Sequence, residues 1–208
     1  MTLELNFPLW EAMSGSWFFG SHRISNVSFQ VFMLNNFIAL NQIGDRDALE
    51  NALYELSGML RYILKAPALI HLSKELTFIE NYCALQKLRF SERLSYRMEI
   101  ESGFEDVKIP KLLIQPIVEN SILHGVEPCN KKCTIMIAVR SAPGGIFITV
   151  EDDGIGCDMN ELQSVPGIGL ANVEGRLKSF SEKSTFHMVS KPDCGTKTWI
   201  YLDLGEKE

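Results

Sequence analysis

A chain of 208 residues is long enough to bury a core in one or two domains. Its hydrophobic fraction of 46% and charged fraction of 22% are those of a globular protein rather than a disordered one. The net charge of −6 opposes binding to nucleic acid, so we expect no nucleic-acid partner and require local donors for any phosphate-bearing ligand.

The cysteine content and the absence of long apolar runs indicate in which cellular compartment the protein resides. Five irregularly spaced cysteines are typical of a reducing cytoplasm. Cys129 and Cys133 follow His124, but a zinc site is a poor alternative because a fourth ligand is missing. No signal peptide and no uncharged apolar run of about 18 residues is visible. We therefore expect a cytoplasmic protein, attached to a membrane only through segments outside this sequence.

The first predicted elements are two helices. Residues 24–41 are nearly free of charge and repeat apolar residues at spacings of three and four, which predicts a helix with a wide apolar face. Asp47 is predicted to cap a second helix that runs to about residue 65. The apolar stripes consist of Val27, Val31, Leu34 and Ile38 in the first helix, and of Leu49, Leu53, Leu56, Leu60 and Leu64 in the second.

The short link around Gly44 predicts that these helices form an antiparallel hairpin. Two helices alone leave much apolar surface exposed. We therefore expect a second copy of the hairpin to cover it, so that the chain forms a homodimer through residues 24–65 as a four-helix bundle. The alternative is that the hairpin packs against the remainder of its own chain.

Further along, a helical region gives way to a mixed one. Ser73 is predicted to cap a third helix, KELTFIENYCALQKLRF, with Glu75 and Glu80 on its polar side. RLSYRMEIE then alternates like a half-buried strand, and Pro110 is predicted to open a helix that ends at Gly125. CTIMIAVRS and GIFITVED predict a hairpin, GLANVEGRLKSF a helix, and TFHMVSK and TKTWIYLDL a last pair of strands.

We therefore divide the chain into three parts. Residues 1–22 form an irregular arm or upstream linker, residues 23–90 a helical region, and residues 91–208 a mixed α/β region. The polar and glycine-rich motifs that indicate chemistry all lie in the third part.

The first motif is QPIVENSILHG, in which Asn120 and His124 are one α-helical turn apart and share a face. An Asn that projects from a buried helix can hold a hydrated Mg²⁺ through its carbonyl oxygen. The alternative is a helix end whose polar groups are satisfied within the protein.

The second motif is VEDDGIGCD, where a strand ends in acids and passes into two glycines. An Asp at a strand end can accept a hydrogen bond from an exocyclic amine, and glycine lets the backbone approach a flat ring. An Asp- and Gly-rich turn is also common in ordinary hairpins.

The third motif is PGIGLANVEGRL, in which Gly167 and Gly169 precede a helix. The free amides and the positive dipole end of a helix N-terminus suit a phosphate chain. The pattern matches neither a dinucleotide fold nor a P-loop, and it is weak when taken alone.

In this order and spacing, the three motifs make the chain similar to the GHKL superfamily of ATP-binding domains. Within it, the chain resembles the bacterial sensor histidine kinases of the LytS type, from about residue 24 to 204. The stretches LSKELTFIENYCALQKLRF and IPKLLIQPIVENSILHG are characteristic of that class. The resemblance implies an α+β fold: an N-terminal helical dimerisation hairpin, then a GHKL (Bergerat) two-layer α/β sandwich with a mixed sheet. It also implies ATP and Mg²⁺ as cofactors and a response regulator as partner.

The resemblance also implies roles for single residues of the first two motifs. Asn120 corresponds to the Mg²⁺ ligand of the N box, with Glu119 beside it, and His124 belongs to the same box. Asp152 corresponds to the acid that binds the adenine amino group. The turn below the base and the threonine that helps close the adenine pocket are implied at Gly154, Gly156 and Thr196.

The third motif corresponds to the glycine box at the phosphates. Its implied residues are Gly167, Gly169 and Leu170, followed by Asn172 and Arg176. The segment CDMNELQSVP before it corresponds to a mobile lid over the nucleotide.

The chain departs from the family at the phosphoacceptor. In this class the first helix carries Asn-Pro-His-Phe-Leu-Phe-Asn-x-Leu-Asn, whereas here Val27 replaces the proline, Ser28 the phosphorylated histidine and Phe32 an asparagine. A serine hydroxyl is a poor nucleophile near neutral pH without an adjacent base. In the N box, Leu123 replaces a lysine that approaches the phosphates.

The sequence therefore predicts the cytoplasmic core of a two-component sensor kinase that binds Mg-ATP, with autophosphorylation impaired at Ser28. The alternative is a nucleotide-binding pseudokinase that regulates a partner kinase or a response regulator. An ATPase of the gyrase or chaperone kind is disfavoured, because Pro116 stands where those proteins carry their general base.

Overall fold

The computed structural model describes residues 37–38, 41–42, 44–158 and 168–205. Most of the predicted first helix, including Ser28, lies outside these ranges, as do Gly167 and most of the predicted lid. The described part contains helices packed against one face of a mixed β-sheet.

The helices are α1 (Arg46–Lys65), α2 (Leu72–Phe90), α3 (Gln115–Asn120) and α4 (Ile168–Phe180). The strands are β1 (Leu69–His71), β2 (Leu94–Ile100), β3 (Lys108–Pro110), β4 (Cys133–Ala142), β5 (Gly145–Asp152), β6 (Thr185–Ser190) and β7 (Thr196–Asp203). A 3₁₀ turn, Ser91–Arg93, leads into β2, and a π-helical turn, Ser121–Val126, continues α3.

The main sheet has five strands in the order β2-β4-β5-β7-β6. β2 runs parallel to β4, and the other neighbours are antiparallel, which confirms the predicted mixed sheet. The predicted hairpins are present as β4–β5 and β6–β7. The short strands β1 and β3, which the sequence did not predict, form a separate antiparallel pair.

The helices bury one face of the sheet in a single core. Along β4 and β5 every second residue points inward, as the alternating apolar pattern predicts. The inward residues include Ile135, Ile137, Ile146, Ile148 and Val150, and the helices contribute Ile79, Leu85, Val118, Val173 and Leu177. None of the helices within the described ranges is long and apolar enough to cross a membrane.

Two predicted helix caps are wrong. Helix α1 is capped by Asp45 rather than Asp47, since the Asp45 carboxylate accepts a hydrogen bond from the Ala48 amide at 3.0 Å. Helix α2 begins at Leu72 without a side-chain cap. Its first amides, those of Leu72 and Ser73, instead donate to carbonyls of residues 105–107. Because the chain supplies these acceptors, Ser73 has no capping role.

The predicted helix from Pro110 to Gly125 is also wrong in extent. Pro110 ends strand β3, and helix α3 begins only at Gln115. Between them Leu112 has a φ of +57°, a left-handed conformation that no α-helix contains. The helix therefore starts later because residues 111–114 form a tight turn.

Candidate functional site

The first element of the site is the N-box segment, helix α3 with the π-helical turn that follows. The amide of Glu127 donates to the carbonyl of Ile122 at 2.8 Å, an i to i+5 bond, so residues 121–126 are wound more widely than an α-helix. The prediction that Asn120 and His124 share a helix face requires α-helical spacing between them. The α-helix ends at Asn120, so that spacing does not extend to His124. Asn120 is half-buried and His124 is exposed.

Asp152 is the most deeply buried acid of the site. It ends the inward-facing row of β5, and the residue is only 2% exposed. Oδ1 accepts a hydrogen bond from the Gly154 amide at 3.1 Å, whereas Oδ2 is buried without a hydrogen-bond partner in the described part of the chain. Burial raises the pKa of Asp152, and the nearby Ser121 hydroxyl and the amides of Gly154 and Thr196 oppose that rise.

Two glycines bring the N box and the Asp152 turn into contact. A β-carbon at Gly125 would lie 2.7 Å from Asp152 Oδ1, and one at Gly154 would lie 2.5 Å from the backbone of Gly125. The Ile155 amide donates to the Gly125 carbonyl at 3.3 Å. Only residues without side chains fit this approach, so the first two sequence motifs form one site.

The strand end opposite Asp152 carries Thr196. These two residues are direct partners in the β5–β7 pairing. The Thr196 hydroxyl lies 2.9 Å from the Ser190 hydroxyl, which also accepts a hydrogen bond from the Cys157 amide at 2.9 Å. Gly156, with a φ of +58°, packs against the backbone of Lys191. A β-carbon on Gly156 would lie 2.0 Å from the Lys191 carbonyl oxygen.

The third motif is only partly described. Gly167 lies outside the described residues, Gly169 and Leu170 lie in the first turn of α4, and Asn172 is exposed on the same helix. Arg176 points towards the turn before α3, where Nη1 donates to the carbonyls of Lys111, at 2.8 Å, and of Leu112.

Glu75 is a residue that the sequence analysis did not single out for the site. The sequence predicts it on the polar side of its helix, and this prediction is wrong, since Glu75 is 0% exposed. Its carboxylate accepts hydrogen bonds from the amides of Leu112, Ile114 and Gln115. The spacing did contain the signal, because Glu75 lies three residues after buried Leu72 and four before buried Ile79.

The residues present fit a nucleotide. A buried carboxylate oxygen without a donor matches an exocyclic amine, and unpaired buried acceptors are otherwise costly. For the cation, no group of three His, Cys, Asp or Glu side chains in the described ranges could hold a metal ion. Mg²⁺ keeps several waters and is coordinated largely by substrate phosphates, and an Asn side-chain oxygen can serve among its protein ligands, so Asn120 is compatible with it.

Two family models match the chain in tandem. The model described as "Histidine kinase" matches residues 27–94, and the model described as "Histidine kinase-, DNA gyrase B-, and HSP90-like ATPase" matches residues 105–206. The chain belongs to the sensor histidine kinases of the GHKL superfamily. The second match covers Asn120, Asp152 and Thr196, and identifies this part of the chain as an ATP-binding domain.

Relatives of known class support the same family. The chain is 35% identical over 137 residues to the sensor histidine kinase YesM of Bacillus subtilis, and 38% identical over 182 residues to the sensor histidine kinase YpdA of Escherichia coli. These alignments cover 64% and 80% of this chain, but only 24% and 31% of YesM and YpdA. The chain therefore spans about a quarter to a third of the length of these relatives.

Solved structures share the fold. The histidine kinase domain of the blue-light activated kinase of Erythrobacter litoralis matches with a TM-score of 0.53 at 16% identity, covering 80% of this chain and 81% of that one. The histidine kinase AdeS of Acinetobacter baumannii matches with a TM-score of 0.53 at 13% identity, covering 95% of this chain and 92% of that one. These matches confirm the predicted GHKL fold.

Proposed function

We propose that this chain binds Mg-ATP at the site formed by Asp152, the Gly125–Gly154 contact and Asn120, as the nucleotide-binding core of a sensor kinase. The observation that carries the proposal is the buried Oδ2 atom of Asp152, which has no donor within the described structure. The exocyclic amino group of adenine supplies such a donor.

Asn120 is the proposed Mg²⁺ ligand, with Glu119 beside it. Bound Mg²⁺ neutralises charge on the ATP phosphates. The Gln115 side-chain amide donates to Glu119 at 2.8 Å, so that carboxylate is already oriented by its own helix. Gly167, Gly169, Leu170 and Asn172 are proposed to receive the phosphates, because the backbone amides at the start of a helix favour anions.

We further propose that autophosphorylation is impaired. Ser28 occupies the phosphoacceptor position, and its hydroxyl lacks the nucleophilicity of an imidazole at neutral pH. Two neighbouring departures, Val27 and Phe32, favour the second candidate function. In that case the chain is a nucleotide-binding pseudokinase that regulates a partner kinase or a response regulator. Under either function, the chain is proposed to form a homodimer through residues 24–65.

Two measurements test these proposals. Calorimetric titration of the intact chain with ATP, with and without Mg²⁺, should show binding that Mg²⁺ strengthens. No binding at millimolar nucleotide would contradict the proposed site. Incubation with radiolabelled Mg-ATP should give no acid-labile, base-stable phosphate, and robust labelling mapped to His22 or His71 would show that the acceptor has moved.

A further inference from the structure

We propose that Glu75 is a positioning residue that connects helix α1 to the nucleotide site through the turn before α3. The inference rests on the proposed function, since it assigns Glu75 a role in holding the N box for Mg-nucleotide. Glu75 itself lies on helix α2 and is 0% exposed.

The carboxylate of Glu75 binds the turn by its amides. Oε2 accepts from the Leu112 amide at 2.8 Å, and Oε1 accepts from the amides of Ile114 at 3.0 Å and Gln115 at 3.3 Å. Hydrogen bonds to an ionised acceptor are stronger than neutral ones. Burial raises the pKa of Glu75, and these three amides oppose that rise.

The opposite side of the same turn is held by Arg176 of helix α4. Its Nη1 donates to the carbonyls of Lys111 and Leu112. Leu112 has a φ of +57°, which is rare for a bulky residue and persists only where surrounding contacts enforce it. The turn is therefore held from two sides: Glu75 accepts hydrogen bonds from its amides, and Arg176 donates hydrogen bonds to its carbonyls.

Helix α1 reaches this arrangement through Tyr62. The Tyr62 hydroxyl donates to Glu75 Oε2, the same oxygen that accepts the Leu112 amide. The Tyr62 ring stacks on Phe78 of helix α2, with ring centroids 4.6 Å apart. A shift of α1 along α2 would therefore change the hydrogen bonding of Glu75.

Gln115 and Glu119 connect this turn to Asn120, the proposed Mg²⁺ ligand. Gln115, whose amide binds Glu75, is the first residue of α3, and its side chain donates to Glu119 at 2.8 Å. Glu119 directly precedes Asn120. A chain of hydrogen bonds thus runs from Tyr62 on α1 through Glu75 and Gln115 to the residue beside the proposed Mg²⁺ ligand.

The variants Tyr62→Phe and Glu75→Gln test this proposal. Tyr62→Phe removes one hydroxyl, and Tyr54→Phe is its control, because Tyr54 lies on the same helix and is 70% exposed. Glu75→Gln places an amide donor against backbone amide donors, whichever way the side chain is flipped. Glu80→Gln, at an exposed position of the same helix, is the matched control.

Hydrogen exchange and calorimetry are the measurements. Without nucleotide, the amides of Leu112, Ile114 and Gln115 should exchange about threefold faster in Tyr62→Phe and at least about tenfold faster in Glu75→Gln. With Mg²⁺ present, both variants should bind ATP more weakly than the wild type. In EDTA this loss of affinity should be smaller, because the proposed effect acts through Asn120. General damage to the fold would weaken binding equally in both conditions.

Reciprocal coupling gives the decisive comparison. Mg-ATP should slow exchange of these amides in the wild type, and Tyr62→Phe should reduce that protection. If Tyr62→Phe matches Tyr54→Phe in exchange and in affinity, the Glu75 proposal is overturned, even if Glu75→Gln fails to fold. If the wild type binds no nucleotide, the proposed function fails, and the exchange rates without nucleotide still decide whether Tyr62 and Glu75 hold the turn.

Discussion

Gly125 and Gly154 pack backbone to backbone, so closely that a β-carbon on Gly154 would lie 2.5 Å from the Gly125 backbone. Gly154→Ala should therefore separate the N box from the Asp152 turn. We expect a loss of about 1–3 kcal/mol in the free energy of unfolding, as for other overpacked positions, together with loss of nucleotide binding.

Gly175→Ala is the control for that substitution. Gly175 lies inside helix α4 with nothing within 4 Å of an added β-carbon, so alanine should stabilise the protein by up to about 1 kcal/mol. Urea unfolding and calorimetry measure both effects. If the two alanine variants have the same stability and the same affinity for nucleotide, the Gly125–Gly154 contact contributes to neither.

Asp152→Asn tests the proposed adenine site directly. The asparagine can keep an oxygen towards the Gly154 amide, but its NH₂ group then replaces the oxygen that has no donor. Affinity for ATP should fall by about 1.5–3 kcal/mol, the contribution of a hydrogen bond to a charged group.

Asp153→Asn is the neighbouring control for this substitution. Asp153 is exposed, and its Oδ1 accepts from the Thr134 amide at 2.6 Å, an interaction that asparagine can retain. Calorimetric titration should therefore show nearly unchanged affinity. An Asp152→Asn variant that binds ATP as tightly as Asp153→Asn would remove Asp152 from the site.

The raised pKa of Asp152 predicts a specific pH dependence. Because the folded protein holds this proton more tightly than the unfolded chain, raising the pH from below the ordinary pKa of 3.8 through the higher folded value destabilises the protein. Asp152→Asn lacks this effect. Its stability relative to wild type should therefore increase across that window and then level off, as measured by urea unfolding at several pH values. A constant difference would contradict the raised pKa.

The apolar surface of α1 predicts dimerisation. Leu53 is 47% exposed in the single chain. Leu53→Glu should dissociate a dimer because it buries an unpaired charge. Leu88→Glu is the control, since Leu88 is 54% exposed but lies on helix α2. Light scattering should give a monomer only for Leu53→Glu, and a monomeric wild type at tens of micromolar would refute the interface.

Ser28→His tests the phosphoacceptor. Histidine at this position should give at most weak acid-labile labelling, because Val27 and Phe32 still depart from the family pattern around it, and a misplacement of about 1 Å can cost about a hundredfold in rate. Adding Val27→Pro and Phe32→Asn should increase the labelling, measured with radiolabelled Mg-ATP. Full activity of the single variant would show that the neighbouring departures are harmless.

The sheet was more predictable from the sequence than the turn at residues 111–114. Alternating apolar residues and glycine turns are local signals, so β4, β5, β6 and β7 were predicted, and their pairing places Asp152 opposite Thr196. β1 and β3 have three residues each, too few to show a period. The start of α3 has one local signal, Pro116 in its first turn. The turn before it contacts Glu75, which is distant in sequence, so no local pattern predicts that turn.

The parallel pairing of β2 with β4 has a consequence for folding. Leu94 pairs with Cys133, and the chain between these two residues contains β3, the turn held by Glu75, and the whole N box. A parallel pair forms only after its crossover connection has closed, at an entropic cost that local hairpins avoid. The edge of the sheet and the proposed nucleotide site should therefore assemble late and together. The β4–β5 and β6–β7 hairpins, whose contacts are short-range, are free to form first.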